Sequence, residues 1–157
     1  MSERVLVEAT APAIEALREL EAVLGRISDA DLHRAHPDGG WTCAQVVSHI
    51  HISGLLWITT LERLRHQPSL FIYREELGHD AVGATPHSAA EAAGRIASVR
   101  AALEQCVPAA DPGVADKEAE VPPFGKFRMG AGAQLIAGHL TGHCGQIREI
   151  LQSRGLL

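Results

Sequence analysis

An all-α fold, a four-helix bundle occupying the whole of residues 1–157, is what this sequence predicts. Three observations carry that expectation. Four long segments place apolar residues every three or four positions, two of them open on capping-box patterns, and no strand-like alternation of useful length occurs beyond a possible extended piece at Leu70-Phe-Ile-Tyr73. A chain of this size buries roughly 68–70% of its unfolded surface, enough for one substantial core.

The first helix is expected from about Ala9 to about Ile27, with Ile14, Leu17, Leu20, Val23, Leu24 and Ile27 on one face and most charges opposite. Ser28 to Gly40 carries Pro37 and Gly39-Gly40 and reads as a turn-rich connection. The second helix opens at Thr42, where Thr42-Cys-Ala-Gln45 lets hydroxyl and amide satisfy each other's orphan backbone donors, and it runs to His66 before Pro68. Gln67 to His87 has no convincing period and holds Gly78, Gly83 and Pro86, so it reads as a long crossover between the second and third helices. Ser88-Ala-Ala-Glu91, a second capping box, introduces the third helix, which carries Ile96, Val99, Leu103 and Cys106 and ends at Pro108. From Val107 to Met129 four prolines and two glycines describe a loop across one bundle end, and the fourth helix follows from about Gly130 to Arg154, with Gly155 suited to the left-handed C′ position.

Composition removes several functions. With 14 basic and 19 acidic residues the net charge is −5, and no lysine or arginine stripe suits a phosphate backbone, so direct nucleic-acid binding is not expected. Cys43, Cys106 and Cys144 are odd in number and form no C-x-x-C pair, which argues against a disulfide framework or a thiolate zinc knuckle and fits a reducing, cytoplasmic setting. The first residues lack the basic start and apolar run of an export signal. The most apolar stretch, Ala44 to Leu61, is interrupted by Gln45, Ser48, His49, His51 and Ser53, so it reads as a core helix and no membrane association is expected.

The chemistry lies in three histidines. His139 and His143 are spaced i and i+4, which puts both side chains on one helix face about 5–6 Å apart at Cβ. Their stripe contains Leu135, Ile136, Ile147 and Ile150, and His49 shares the corresponding stripe of the second helix with Val46, Ile50, Ser53 and Trp57, so all three imidazoles are expected to face the core. Unmatched burial of such groups costs about 1–3 kcal/mol each, and one divalent cation shared by His49, His139 and His143 removes the cost together. Three imidazoles leave coordination positions open, as in catalytic zinc sites; imidazole suits zinc, nickel, copper or iron without selecting among them, and zinc or nickel is the expectation taken forward. Leu140 follows His139, so this is not the H-E-x-x-H of metalloproteases. Gln146, one turn past His143, is a candidate to orient a ligand; Cys144, turned about 100° from His143, reads as a buried thiol; Trp57 reads as core. Tyr73 and His87 are weaker candidates for an acid or base above the site.

Trp41 seven residues ahead of His49, Pro122-Pro-Phe-Gly125 before the fourth helix, and His139-Leu-Thr-Gly-His-Cys-Gly-Gln146-Ile147 together resemble the DinB/YfiT-like superfamily over most of the chain. That resemblance implies a bundle of up-down-down-up topology, frequent homodimers, and a divalent metal on the residues that match His49, His139 and His143. It also implies small-molecule chemistry that in some members uses a low-molecular-weight thiol such as bacillithiol or mycothiol.

The leading reading is therefore a metal-dependent enzyme that activates a water or a thiol, for hydrolysis or thiol S-transfer on a small-molecule substrate. The alternative is a non-catalytic metal-binding or stress-response bundle, and a third reading leaves the histidines merely hydrogen-bonded. Because the second helix is apolar on nearly every side, the flank with Val47, Leu55 and Ile58 is expected to meet a second copy in a symmetric homodimer.

Overall fold

The computed structural model describes residues 4–72, 82–122 and 125–157. Four long helices build the bundle: α1 (Val5–Leu24), α3 (Cys43–His66), α4 (Ala89–Ala110) and α5 (Met129–Ser153). A short α2 (Asp29–Leu32) follows α1, and three small strands, β1 (Ser69–Phe71), β2 (Glu118–Val121) and β3 (Gly125–Arg128), form a sheet. Helix α1 packs on both α4 and α5, whereas α3 packs closely on α4 and more sparsely on α5. The core is continuous through the bundle, with Leu6, Leu17, Leu24, Ile50, Leu61, Ile96, Leu103, Leu140 and Ile147 almost fully buried.

The capping chemistry is realised closely. Thr42 Oγ1 accepts the Gln45 amide at 3.2 Å while Gln45 Oε1 accepts the Thr42 amide at 2.8 Å, so the register of α3 is set from its first turn. At the far end of α5, the Leu156 amide reaches Leu151 O and the Gly155 amide reaches Gln152 O, a Schellman closure with Gly155 at φ +70°. Before α4 only half of the expected box forms: Ser88 Oγ accepts from Glu91, but the Glu91 carboxylate turns to the His87 amide and to Arg95.

Several expected boundaries are corrected by tertiary contacts. Helix α1 begins at Val5, a turn earlier than its periodicity suggests, because the Asp111 carboxylate at the end of α4 accepts the Leu6 and Val7 amides at 3.1 and 2.9 Å. This long-range cap satisfies donors that no local side chain reaches. The helix stops at Leu24 instead of Ile27, and Ser28 then caps α2 with a capping box of its own inside the segment read as a connection. Helix α4 continues through Pro108 to Ala110 instead of ending there.

The strands are the main correction to an all-α reading. β1 pairs in parallel with β2, Leu70 opposite Ala119, and β2 pairs antiparallel with β3, Ala119 opposite Phe127. Each strand is three or four residues long, too short for alternation to show in the sequence, and the sheet exists because β1, which leaves α3, meets the segment that leaves α4. The Pro123-Phe124 part of the resemblance motif and Tyr73 lie outside the described residues. Of the flank expected to meet a second copy, Val47 is fully buried within this chain, Leu55 is exposed and Ile58 is half-buried. Among the described residues no helix is long and apolar enough to cross a membrane.

Replacing Asp111 by alanine is expected to lower the unfolding free energy by about 1–2 kcal/mol, the usual cost of a lost N-terminal cap. Urea denaturation would show it as a fall in midpoint at constant slope, and Asp111→Asn should recover part of the loss.

Candidate metal centre

The capping box of α3 aims its inner face, so that His49, two turns in, lies with Val46, Ile50 and Ser53 and is only 1% exposed. On α5 the inner stripe is Ala133, Ala137, Leu140, Cys144, Ile147 and Leu151, all buried. His139 and His143 sit on the shoulder of that stripe: His139 is exposed and His143 half-buried, while Leu135, grouped with them by periodicity, is 65% exposed. The two histidines of α5 therefore do not face the core as expected. The apolar stripe is broad enough to be centred one residue further round, which leaves the histidines at its rim.

That rotation makes the site both possible and reachable. The three imidazoles converge, with ring centroids 5.2 Å apart for His49 and His139, 4.6 Å for His49 and His143, and 4.5 Å for His139 and His143. One nitrogen from each lies within 4.8 Å of the others, and Nε2 of His49 is 3.2 Å from Nε2 of His139. Two nitrogens bound tetrahedrally at about 2.05 Å stand about 3.3 Å apart, so this separation suits one shared cation. The rings meet nearly edge to face, which turns nitrogens toward one point without stacking the ring planes.

Surrounding groups fix the imidazoles. His143 Nδ1 donates to Gln146 Oε1 at 2.9 Å, which leaves Nε2 with its lone pair free to ligate. Trp41 lies 5.0 Å from the His49 ring and stacks at 27° on His143, 6.3 Å between centroids, closing one side. Ser53 Oγ stands 3.3 Å from His139 Nε2 and 3.5 Å from His49 Nε2, beside the point of convergence. Periodicity placed Ser53 on the His49 face without assigning it a role; its spacing of i+4 from His49 was the available signal. His87 is exposed and engaged elsewhere, its amide on Glu91 and its carbonyl near His33, so it does not reach the site.

Burial holds the chain's own thiols in the protonated form. Burial pushes Cys43 and Cys106 up to about 11 and Cys144 up to about 12, so all three stay protonated at neutral pH.

Comparison with known proteins agrees with this architecture. The family model of the DinB superfamily matches residues 14–147, a span that contains all three histidines and Gln146. The chain belongs to the DinB superfamily. Among solved structures, this DinB protein is similar to YfiT from Bacillus subtilis, described as a probable metal-dependent hydrolase with an unusual four-helix bundle topology. The match has a TM-score of 0.76 at 16% identity and covers 100% of this chain and 91% of that one. No curated protein matches the sequence significantly.

Two outcomes follow. Gln146→Ala should weaken zinc binding about 10–100-fold, the usual effect of removing a hydrogen-bonded orienter, measured by competition with a chromophoric chelator; unchanged affinity would remove the orienting role. For Cys43, whose folded value is raised from 9.0 to about 11, the contribution to stability is fully present below about pH 9 and lost as pH rises towards 11. The unfolding free energy should therefore decline across that window, and by less in Cys43→Ala.

Proposed function

We propose that this DinB protein is a metal-dependent hydrolase in which His49, His139 and His143 hold one divalent cation, zinc or nickel in the first instance. The observation that carries the reading is the convergence of three imidazole nitrogens within 4.8 Å at the rim of the core, beside an exposed face. When bound, such a cation lowers the pKa of water to about 7 and polarises a carbonyl.

The residues of this chain supply the rest. Gln146 holds His143 in the ligating tautomer. Ser53 Oγ, within 3.5 Å of both His49 and His139 Nε2, is placed to accept a proton from, or donate one to, a water or substrate oxygen at the convergence point. Trp41 covers the side away from the substrate approach and limits bulk water there. With the cysteines protonated, the nucleophile comes from solvent or from an added thiol; hydrolysis is preferred because, among the described residues, no lysine or arginine lines the adjoining cavity to receive an anionic cofactor.

The finer topology belongs to the same reading. Up-down-down-up order is supported by contacts that gather the start of α1, the ends of α3 and α4 and the start of α5. Asp111 caps α1, the Lys117 ammonium donates to the carbonyls of Leu64 and Gln67, and the Met129 amide donates to Lys117 O.

Metal analysis of untagged protein tests the first step: about one zinc or nickel per chain is expected, falling at least tenfold in His49→Ala and His143→Ala. The loaded protein is then screened against neutral esters and amides beside His49→Ala. A loss of at least about a hundredfold is expected, since even groups one bond removed from a metal cost 10–100-fold. Unchanged metal content in both variants would defeat the site; normal loading with indistinguishable rates would leave a metal-binding bundle without catalysis.

A further inference from the structure

Between α3 and α5, where the helices pack sparsely, a cavity of about 270 Å³ runs from His49 and His139 towards the sheet. Its α3 wall is the face that carries His49, Ser53, Trp57 and Thr60, and towards the sheet it is lined by Ile72, just past β1, with Val121 of β2 and Phe127 of β3. Among the described residues, no lysine, arginine, aspartate or glutamate lines it. At its mouth Leu135 is 65% exposed, an apolar side chain held in solvent beside His139. Trp57 is 7% exposed, and its indole N–H has no acceptor among the described residues. Gly132 shapes the wall from the other side: a Cβ there would stand 2.7 Å from Phe127 Cε2, so only glycine lets that ring lie against α5.

We infer that this cavity is the substrate pocket, and that it selects a small neutral molecule joining a carbonyl to a compact apolar group, with Phe127 setting its depth. By the measure in which about 150 Å³ of apolar cavity holds one benzene ring, the space takes about ten non-hydrogen atoms. A charged group inside it would lose hydration without a countercharge to replace it, which excludes free carboxylates and ammonium compounds of the same length. An indole donor without a partner costs stability unless a ligand brings an acceptor, which favours an amide or ester over a plain hydrocarbon. The inference rests on the hydrolase reading for the reaction that occurs there, but not for the binding.

Binding can therefore be tested apart from catalysis. Straight-chain amides from butanamide to decanamide are titrated by calorimetry into zinc-loaded protein and into metal-free His143→Ala. Affinity should rise about fourfold per methylene, the factor for removing one methylene from water, and level off at about ten non-hydrogen atoms. Hexanoate and hexylammonium should bind at least tenfold more weakly than hexanamide. The sequence has two tryptophans, so the Trp57 indole N–H signal, assigned with Trp41→Phe, should move on amide binding. Phe127→Ala should carry the levelling point two or three methylenes further. Leu135→Glu, at an exposed position where folding is not at risk, should weaken hexanamide and strengthen hexylammonium.

A flat length series, equal binding of the charged analogues, or no shift of the levelling point in Phe127→Ala would overturn the pocket. So would a Leu135→Glu protein that changes only its oligomeric state by light scattering, because the apolar mouth would then belong to a second copy. A length series that holds in both proteins while hydrolysis is absent supports the pocket and counts against the hydrolase reading. Hydrolysis with a flat series does the reverse.

Discussion

An imidazole that is 1% exposed inside a helical core is the constraint from which the rest of this molecule follows. His49 lies among Val46, Ile50 and other almost fully buried side chains, where a polar ring is expensive unless its nitrogens are matched. The match comes partly from across the bundle, where His139 Nε2 stands at 3.2 Å, and partly from Ser53 one turn along the same helix. To deliver it, α5 must present its shoulder and not its apolar stripe to α3. The same rotation leaves α5's histidines half in solvent and its neighbour Leu135 exposed.

The two faces of α3 divide the structural work. On one, Gly54 lets α4 come so near that a Cβ would stand 2.5 Å from Val99 Cγ1, and this close approach anchors the helix. On the other, facing α5, the packing is open, and the space that remains carries His49, Ser53 and Trp57 along its wall. A rigid back and an open front are what a positioned site requires, because ligating side chains keep their geometry only when the helix that bears them does not shift. The pins at the far end have the same purpose. Asp111 and Lys117 tie the ends of four helices through backbone amides and carbonyls, where an exposed ion pair would add little.

The electrostatics of the site are those of a neutral chamber. Cys144 is the residue after His143, yet its burial keeps it a thiol up to about pH 12, and among the described residues no charged side chain lines the cavity. On the reading proposed above, the reactivity of such a chamber would come from a cation held by three nitrogens and from where Ser53 stands, not from a charge relay. This is also why fold resemblance alone transfers less than the site does.

The sequence by itself determined the elements whose causes are local. The Thr42 capping box, the end of α3 before Pro68, the glycine closure after α5 and the one-face spacing of His139 and His143 were all legible, because each depends on residues within four or five positions. Tertiary structure decided the rest. The early start of α1 depends on Asp111 a hundred residues away, α4 continues through Pro108 to a buried Ala110 before the Asp111 amide closes on Val107 O, and three strands of three or four residues acquire order only by meeting one another. Periodicity also could not say which degree of rotation α5 would adopt, since a helix stripe spans over 100°; only the packing against α1 and α3 placed His139 and His143 at the rim instead of in the core. That choice, made between helices and not within one, is what turns three histidines into a site that opens on a cavity.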